Sequence, residues 1–279
     1  NMVSTVSSNT QEETHEIWCL LEDYGLSRDQ VANVLPCTPL QEGMLSLPLA
    51  LPSLYSSQFF LKFSSAVDLE EFKTACTRAI KAYPIFRTAI VPSSTNLVQV
   101  VLRDGPEWSE VKQDILSFLT ADQAISFNLG QPLNRLHHVY DPSTGQSHLV
   151  WTLHHAVYDG WSLEYVVEAI RQDYHRHSRE TGPLGTFENF VEFCHGLDRH
   201  KSELFWTEQL KYAPTPSFPN FSRAGHLAAD DSSLGYTITS TSEATLGVTT
   251  TILARATWAL LLSEYEGSDD ITFGNSLHG

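Results

Sequence analysis

The chain has 279 residues, 42% hydrophobic and 18% charged, which suits a folded domain and argues against wholesale disorder or a small stapled scaffold. A formal charge of −16 repels phosphate backbones and anionic lipid surfaces, so neither nucleic acid nor a membrane is expected as a partner. The four cysteines, Cys19, Cys37, Cys76 and Cys194, lie far apart without a CxxC pair, as expected for reduced thiols in a cytoplasmic protein. The apolar run Ala254 to Leu262 is broken by Arg255 and too short to span a bilayer, and no signal peptide opens the chain.

Residues 1–12 read as a disordered linker, with Asn1 to Thr10 rich in Ser, Thr and Asn. Residues 13–211 read as one lobe. A short helix is expected over Glu13 to Leu21, and Thr38 then caps a second helix with Pro39 at its first position. A strand over Ser57 to Phe63 precedes a helix opened by Asp68, whose buried stripe is Leu69, Phe72, Cys76, Ala79 and Ile80. Pro84 ends that helix, and Ile85 to Val91 and Leu97 to Leu102 read as strands.

Leu133 to Tyr140 and Ser147 to His154 form a predicted hairpin about Asp141-Pro142-Ser143-Thr144-Gly145. Ser162 is the expected cap of the next helix, in which Leu163, Val166, Val167, Ile170 and Tyr174 share a face. Two amphipathic helices follow, near Phe187 to Cys194 and Arg199 to Leu210. The Pro-rich stretch 212–233 reads as an inter-lobe crossing. Residues 234–279 open a second lobe with a strand (Leu234 to Thr239), a helix (Leu246 to Tyr265) and a strand (Ile271 to Asn275). Helices alternating with strands give an α/β or α+β class.

The chemistry concentrates where the hairpin's second strand ends, at His154-His155-Ala156-Val157-Tyr158-Asp159-Gly160. Neighbours on a strand point to opposite faces, so the two imidazoles do not share a metal ion as adjacent ligands, and no metal site is expected. One histidine faces the core and the other a cavity, where imidazole suits proton transfer. Asp159 is expected to pair with a buried cation and hold the loop, and Gly160 to allow backbone geometry that a side chain would block. His137, His138, His148, His175, His177 and His200 read as structural or surface residues.

The segment His154 to Ser162, including Trp161-Ser162, resembles the HHxxxDG core of condensation domains from nonribosomal peptide synthetases, in the fungal style. Other segments match in order. Thr38-Pro39-Leu40-Gln41-Glu42-Gly43-Met44 is similar to the first family motif, and Tyr83-Pro84-Ile85-Phe86-Arg87-Thr88 to HExLRT with Tyr-Pro in place of His-Glu. Phe187 to Phe193 resembles YxDFAxW with Asn189 for Asp and Phe193 for Trp, and Phe205 to Leu210 resembles YWxxxL. Asp270 to Gly279 resembles DxVxGxxxxGR, cut off before its Arg.

The resemblance implies a chloramphenicol-acetyltransferase-like fold, with a first lobe complete, the start of a second similar lobe, and the C-terminal lobe otherwise missing. It implies amide formation between a carrier-bound acyl or peptidyl thioester and a carrier-bound aminoacyl amine. No cofactor is bound; the substrates ride on 4'-phosphopantetheine arms of upstream donor and downstream acceptor peptidyl carrier domains, beside an adenylation domain. His155 carries catalysis as base or positioning group, while His154, Asp159 and Gly160 organise the loop. Trp161, Ser162 and Arg87 support it, with Arg87 a candidate cation for Asp159. The alternatives are release by cyclisation, ester formation, epimerisation, and a non-catalytic carrier-docking lobe.

Overall fold

A computed structural model describes residues 11–46, 55–94, 96–175, 186–215, 218, 234–237 and 248–275. Residues 1–10 of the expected 1–12 linker lie outside them, as does most of the 212–233 crossing, whereas Gln11 and Glu12 are not linker but the start of a helix. By its internal contacts the chain divides into two units, Asn1–Leu197 and Asp198–Gly279. Among the described residues no helix is long and apolar enough to cross a membrane.

The first unit is a mixed α/β fold built on two sheets. Strands β1 (Val31–Pro36), β3 (Thr88–Pro92) and β4 (Leu97–Leu102) form an antiparallel sheet in the order β1-β4-β3. Strands β2 (Ser56–Lys62), β5 (Trp108–Lys112), β6 (Asn134–Asp141) and β7 (Gln146–His154) form the other, in the order β2-β7-β6-β5. Only the β5–β6 pair of that sheet is parallel. The free edge of β3 is stitched to the chain entering β6, through an Ala89–Pro132 bridge and bonds from Gly130 N to Ile90 O and Leu133 N to Thr88 O.

Helix α1 (Gln11–Asp23) lays Trp18 and Leu21 on the small sheet against Val31, Val34, Val91 and Val100. On one face of the large sheet, Leu136, Leu149, Trp151 and Leu153 pack under α3 (Leu69–Ala82) and α5 (Gly160–Tyr174), which bring Ala75, Cys76, Ala79, Ile80, Val166 and Ile170. The alternation of β7 sends Val150, Thr152 and His154 to the other face, where α4 (Ile115–Gln123) covers Val150 with Phe118. The β6–β7 turn closes through Gly145 at φ 68°, whose amide bonds Asp141 O. Helix α6 (Phe187–Gly196) caps β1, with Glu188 accepting from Asn33 and His195 bonded to the Cys37 carbonyl.

Several expectations need correction. Val31–Pro36 is a strand that the two prolines flanking Cys37 and Thr38 obscured. Ile85 to Val91 is not one strand: Pro84–Arg87 is a 3-10 turn and β3 starts at Thr88, because Phe86 turns inward onto Trp151, ring centroids 5.3 Å apart. Strand β5 and helix α4 were not foreseen. β5 lies at the sheet edge with little buried alternation.

In the second unit, α7 (Arg199–Gln209) and α8 (Thr250–Glu266) are helical, and Thr249 caps α8 three residues beyond the expected start at Leu246. Residues 234–237 and 271–275 form no strand, since neither segment meets a pairing partner among the described residues. Residues 238 and 239 of the first of these lie outside the description.

Candidate active site

Strand β7 ends at His154, and the chain turns at once into a 3-10 turn, His155–Val157, followed by the first turn of α5. Proximity in sequence therefore brings His154, His155, Asp159, Gly160, Trp161 and Ser162 to one end of the large sheet. Arg87 closes the 3-10 turn that precedes β3.

His154 is buried, 4% exposed, and its Nδ1 accepts the Ala156 amide at 3.2 Å. That bond leaves the proton of the neutral ring on Nε2. Tyr55 and Phe127 close over the ring edge-on at 6.3 and 6.1 Å. Burial, with the neighbouring charge of His155 second, lowers the His154 pKa from 6.5 to about 4. His154 is a neutral structural group at physiological pH.

The same face holds a buried ionic network. Asp122, 2% exposed, takes Arg135 Nε at 3.0 Å, Gln58 Nε2 at 2.8 Å and the Thr152 hydroxyl at 2.5 Å, with His137 Nε2 at 3.5 Å. Burial works to raise its pKa, but the neighbouring His137 and the bonds from Thr152, Gln58 and Arg135 outweigh it and hold the carboxyl far below its ordinary value. Gln58, Thr152 and Arg135 are cross-strand neighbours on β2, β7 and β6. Arg135 also stacks over Phe127 at 4.4 Å, so the network supports the ring that covers His154.

His155 is only partly buried. Its amide donates to the Tyr55 carbonyl at 2.7 Å, and Tyr55 is the non-glycine residue with positive φ among those described, at 57°. Its ring stacks on Tyr158, with centroids 4.7 Å apart and planes at 27°. Buried Nδ1 has no hydrogen-bond partner among the described residues.

The turn is anchored from behind by two buried glutamines. Gln41 Nε2 donates to the Ala156 carbonyl and to Gln99 Oε1, both at 3.0 Å, and Gln99 Nε2 donates to Pro36 O at 2.8 Å. Gln41 itself is fixed by a capping box on α2 (Pro39–Ser46). Its Oε1 accepts the Thr38 amide at 2.9 Å, while Thr38 Oγ1 accepts the Gln41 amide at 3.3 Å. Gln41, Tyr55, Tyr158 and Asp122 all escaped the sequence reading. Gln41 and Tyr158 stood inside recognised segments without a role of their own, and Gln41 also carried the Thr-x-x-Gln spacing of the capping box.

The predicted support residues have altered roles. Asp159, not Ser162, is the N-cap of α5: Asp159 Oδ1 accepts the Ser162 amide and the Ser162 hydroxyl accepts the Asp159 amide, both at 2.7 Å. A carboxylate at a helix N-terminus is also favoured by the helix dipole. The Arg87 guanidinium donates to the Leu102 carbonyl instead of Asp159; burial lowers its pKa and the charge of Asp104 opposes that. Gly160 has no left-handed φ, and a Cβ there would meet nothing within 4 Å, so the described residues do not themselves demand glycine. Trp161 is 56% exposed. Burial raises the Cys37 and Cys76 thiols to about 12, so neither is a thiolate nucleophile near neutral pH.

A condensation-domain family profile matches residues 31–279. Peramine synthetase A of Epichloe festucae (strain Fl1) is 34% identical over 257 residues, covering 92% of this chain and 9% of that protein. AM-toxin synthetase AMT1 of Alternaria alternata is 35% identical over 266 residues, covering 92% and 6%. The chain thus spans about a tenth or less of the length of these two relatives. Among solved structures, the crystal structure of holo T3CT superposes with a TM-score of 0.68 at 18% identity, over 96% of this chain and 61% of that one. A starter condensation domain of the rhizomide synthetase RzmA superposes with a TM-score of 0.55 at 16% identity, over 66% and 50%. A profile match across most of the chain, further relatives at 32% identity named as nonribosomal peptide synthetases of Aspergillus flavus and Gibberella zeae, and the two-histidine turn at the end of β7 identify the chain as a member of the condensation-domain family.

Proposed function

We propose that this chain supplies the catalytic histidine for amide formation between two carrier-bound substrates. An acyl or peptidyl group arrives as a thioester on the 4'-phosphopantetheine arm of an upstream carrier domain, and an aminoacyl group on that of a downstream carrier. The neutral amine attacks the thioester carbonyl to give a tetrahedral intermediate. Its nitrogen gives up a proton, the C–S bond breaks, and the pantetheine thiolate takes a proton as it leaves. His155 is the group that accepts or steers the amine proton and stabilises the intermediate. No protein nucleophile is needed.

The observation that carries this reading is the division of labour in the histidine pair. His154 is sealed, neutral and spent on the Ala156 amide, whereas His155 is partly exposed beyond the strand end. Asp159 and Ser162 hold the turn between them and α5. Gly160 and Trp161 open the helix that follows the turn, and Arg87, bonded to the Leu102 carbonyl, acts on the site only through the fold. A neighbouring adenylation domain, a further C-terminal lobe and a cytoplasmic setting belong to the same reading, with residues 13–211 as the first lobe, 212–233 as the crossing and 234–279 opening the second.

The test supplies the protein carrying this chain with an acyl-loaded donor carrier and an aminoacyl-loaded acceptor carrier. Amide product should form, and His155→Ala should lose most of it. Undiminished product from His155→Ala overturns the assignment.

A further inference from the structure

We propose that Tyr158 is a positioning residue for His155, its ring fixing the plane of the imidazole in place of a hydrogen bond at Nδ1. The inference rests on the catalytic reading of His155. A catalytic or metal-bound imidazole is ordinarily oriented through its second nitrogen, which donates to a carboxylate or a carbonyl. His155 Nδ1 is buried and meets no such acceptor among the described residues. What the ring does meet is Tyr158, 4.7 Å between centroids and 27° between planes, an offset-stacked geometry.

Tyr158 is itself held. Phe59 on β2 meets it edge-on at 5.6 Å and 88°, and the ring packs against the main core of the large sheet. Its backbone is extended, at φ −152° and ψ 163°, and leads straight into Asp159, the N-cap of α5. The backbone of His155 is pinned on both sides, by its own amide on the Tyr55 carbonyl and by Gln41 on the Ala156 carbonyl. Rotation about the side-chain bonds is then the remaining freedom of the imidazole, and the flat face of Tyr158 limits it. A leucine would fill comparable volume without offering that face, so a filler and a positioning residue make different predictions.

The stack is read by NMR of the aromatic resonances in this chain. The His155 Cδ2 and Cε1 protons, assigned by their loss in His155→Gln, should lie upfield through the Tyr158 ring current and show NOEs to the Tyr158 ring. Tyr158→Phe should keep the displacement, and Tyr158→Leu should abolish it. In the protein carrying this chain, Tyr158→Leu should lower kcat on the order of tenfold with KM changed less than about twofold, and Tyr158→Phe should recover the loss.

Unshifted His155 resonances in the unsubstituted chain overturn the proposal even if Tyr158→Leu fails to fold. So does a Tyr158→Phe variant no better than Tyr158→Leu. An unshifted ring together with an inactive His155→Ala removes the stack and leaves the condensation reading standing. A shifted ring together with a fully active His155→Ala does the reverse.

Discussion

Two adjacent imidazoles occupy environments that differ in almost every physical respect. His154 is enclosed by Tyr55 and Phe127, bonded through Nδ1, and depressed to a pKa of about 4. His155, one residue on, leaves the strand for a 3-10 turn, stacks on one aromatic face and leaves Nδ1 without a protein partner among the described residues. One peptide unit separates a buried imidazole from a partly exposed one, because the strand's alternation ends between them. Stability and catalysis should therefore respond to different substitutions.

The largest expected effect separates the two most sharply. His155→Ala should reduce product formation by about 10²–10⁴-fold, the usual contribution of a positioned acid–base group, while leaving the thermal midpoint nearly unchanged. A drop in midpoint to match the lost activity would erase the distinction between the histidines.

Asp122→Ala should act on the His154 side. It removes the counter-charge of Arg135, whose side chain is 20% exposed, and strips acceptors from Gln58 and Thr152. Breaking such a buried pair costs about 3–5 kcal/mol, which denaturant unfolding would detect. A loss below about 1 kcal/mol would show that the network is not what seals this face.

Acidification sharpens the contrast further. The His154 pKa is depressed in the folded chain, so the unfolded chain binds a proton that the folded one refuses, and stability falls as pH drops from 6.5 towards 4. At about 1.4 kcal/mol per pKa unit, that amounts to roughly 3 kcal/mol across the window. His154→Gln should be measurably less sensitive over the same interval when melting is followed against pH. Asp122, also depressed, contributes stability that is lost only at still lower pH. Identical pH profiles for the two proteins would remove His154 as the acid-sensitive group.

The smallest predicted effect tests the support behind His155. Gln41→Leu leaves the Ala156 carbonyl and Gln99 Oε1 without their donor, at a cost of about 1–3 kcal/mol. Chemical denaturation measures that cost, and a neutral variant would mean that the turn stands without its anchor.

The periodic parts of the fold were legible in the sequence because burial repeats there with the period of the element. The Leu97–Leu102 strand was read to the residue, and α3 was read from its stripe and from Asp68, whose carboxylate does accept the Glu70 and Glu71 amides. The hairpin was read from its Pro and Gly. Elements set by tertiary partners were not legible. Phe86 breaks an apparent strand because Trp151 waits on another strand, and β5 exists because β6 offers it a parallel edge. At the site, the two histidines and Asp159 were visible as a local pattern, but Asp159's work as a helix cap depends on Ser162 lying at the third position of α5. Gln41 meets Gln99 and the Ala156 carbonyl across 58 and 115 residues of chain, Tyr55 meets His155 from just ahead of β2, and Asp122 acts through Thr152 and Arg135; no local spacing encodes such meetings.

The glutamine anchor also bears on the order in which the molecule is made. Gln41 meets Gln99 across 58 residues and Ala156 across 115, contacts of high sequence separation that must wait for loop closure. During synthesis both glutamines leave the ribosome before the histidine turn does, so the socket precedes the segment it receives. The turn should then acquire its final shape among the last events of folding. In native-state hydrogen exchange the Ala156 amide should accordingly open more readily than the amides of β4; equal protection would place both in one cooperative unit.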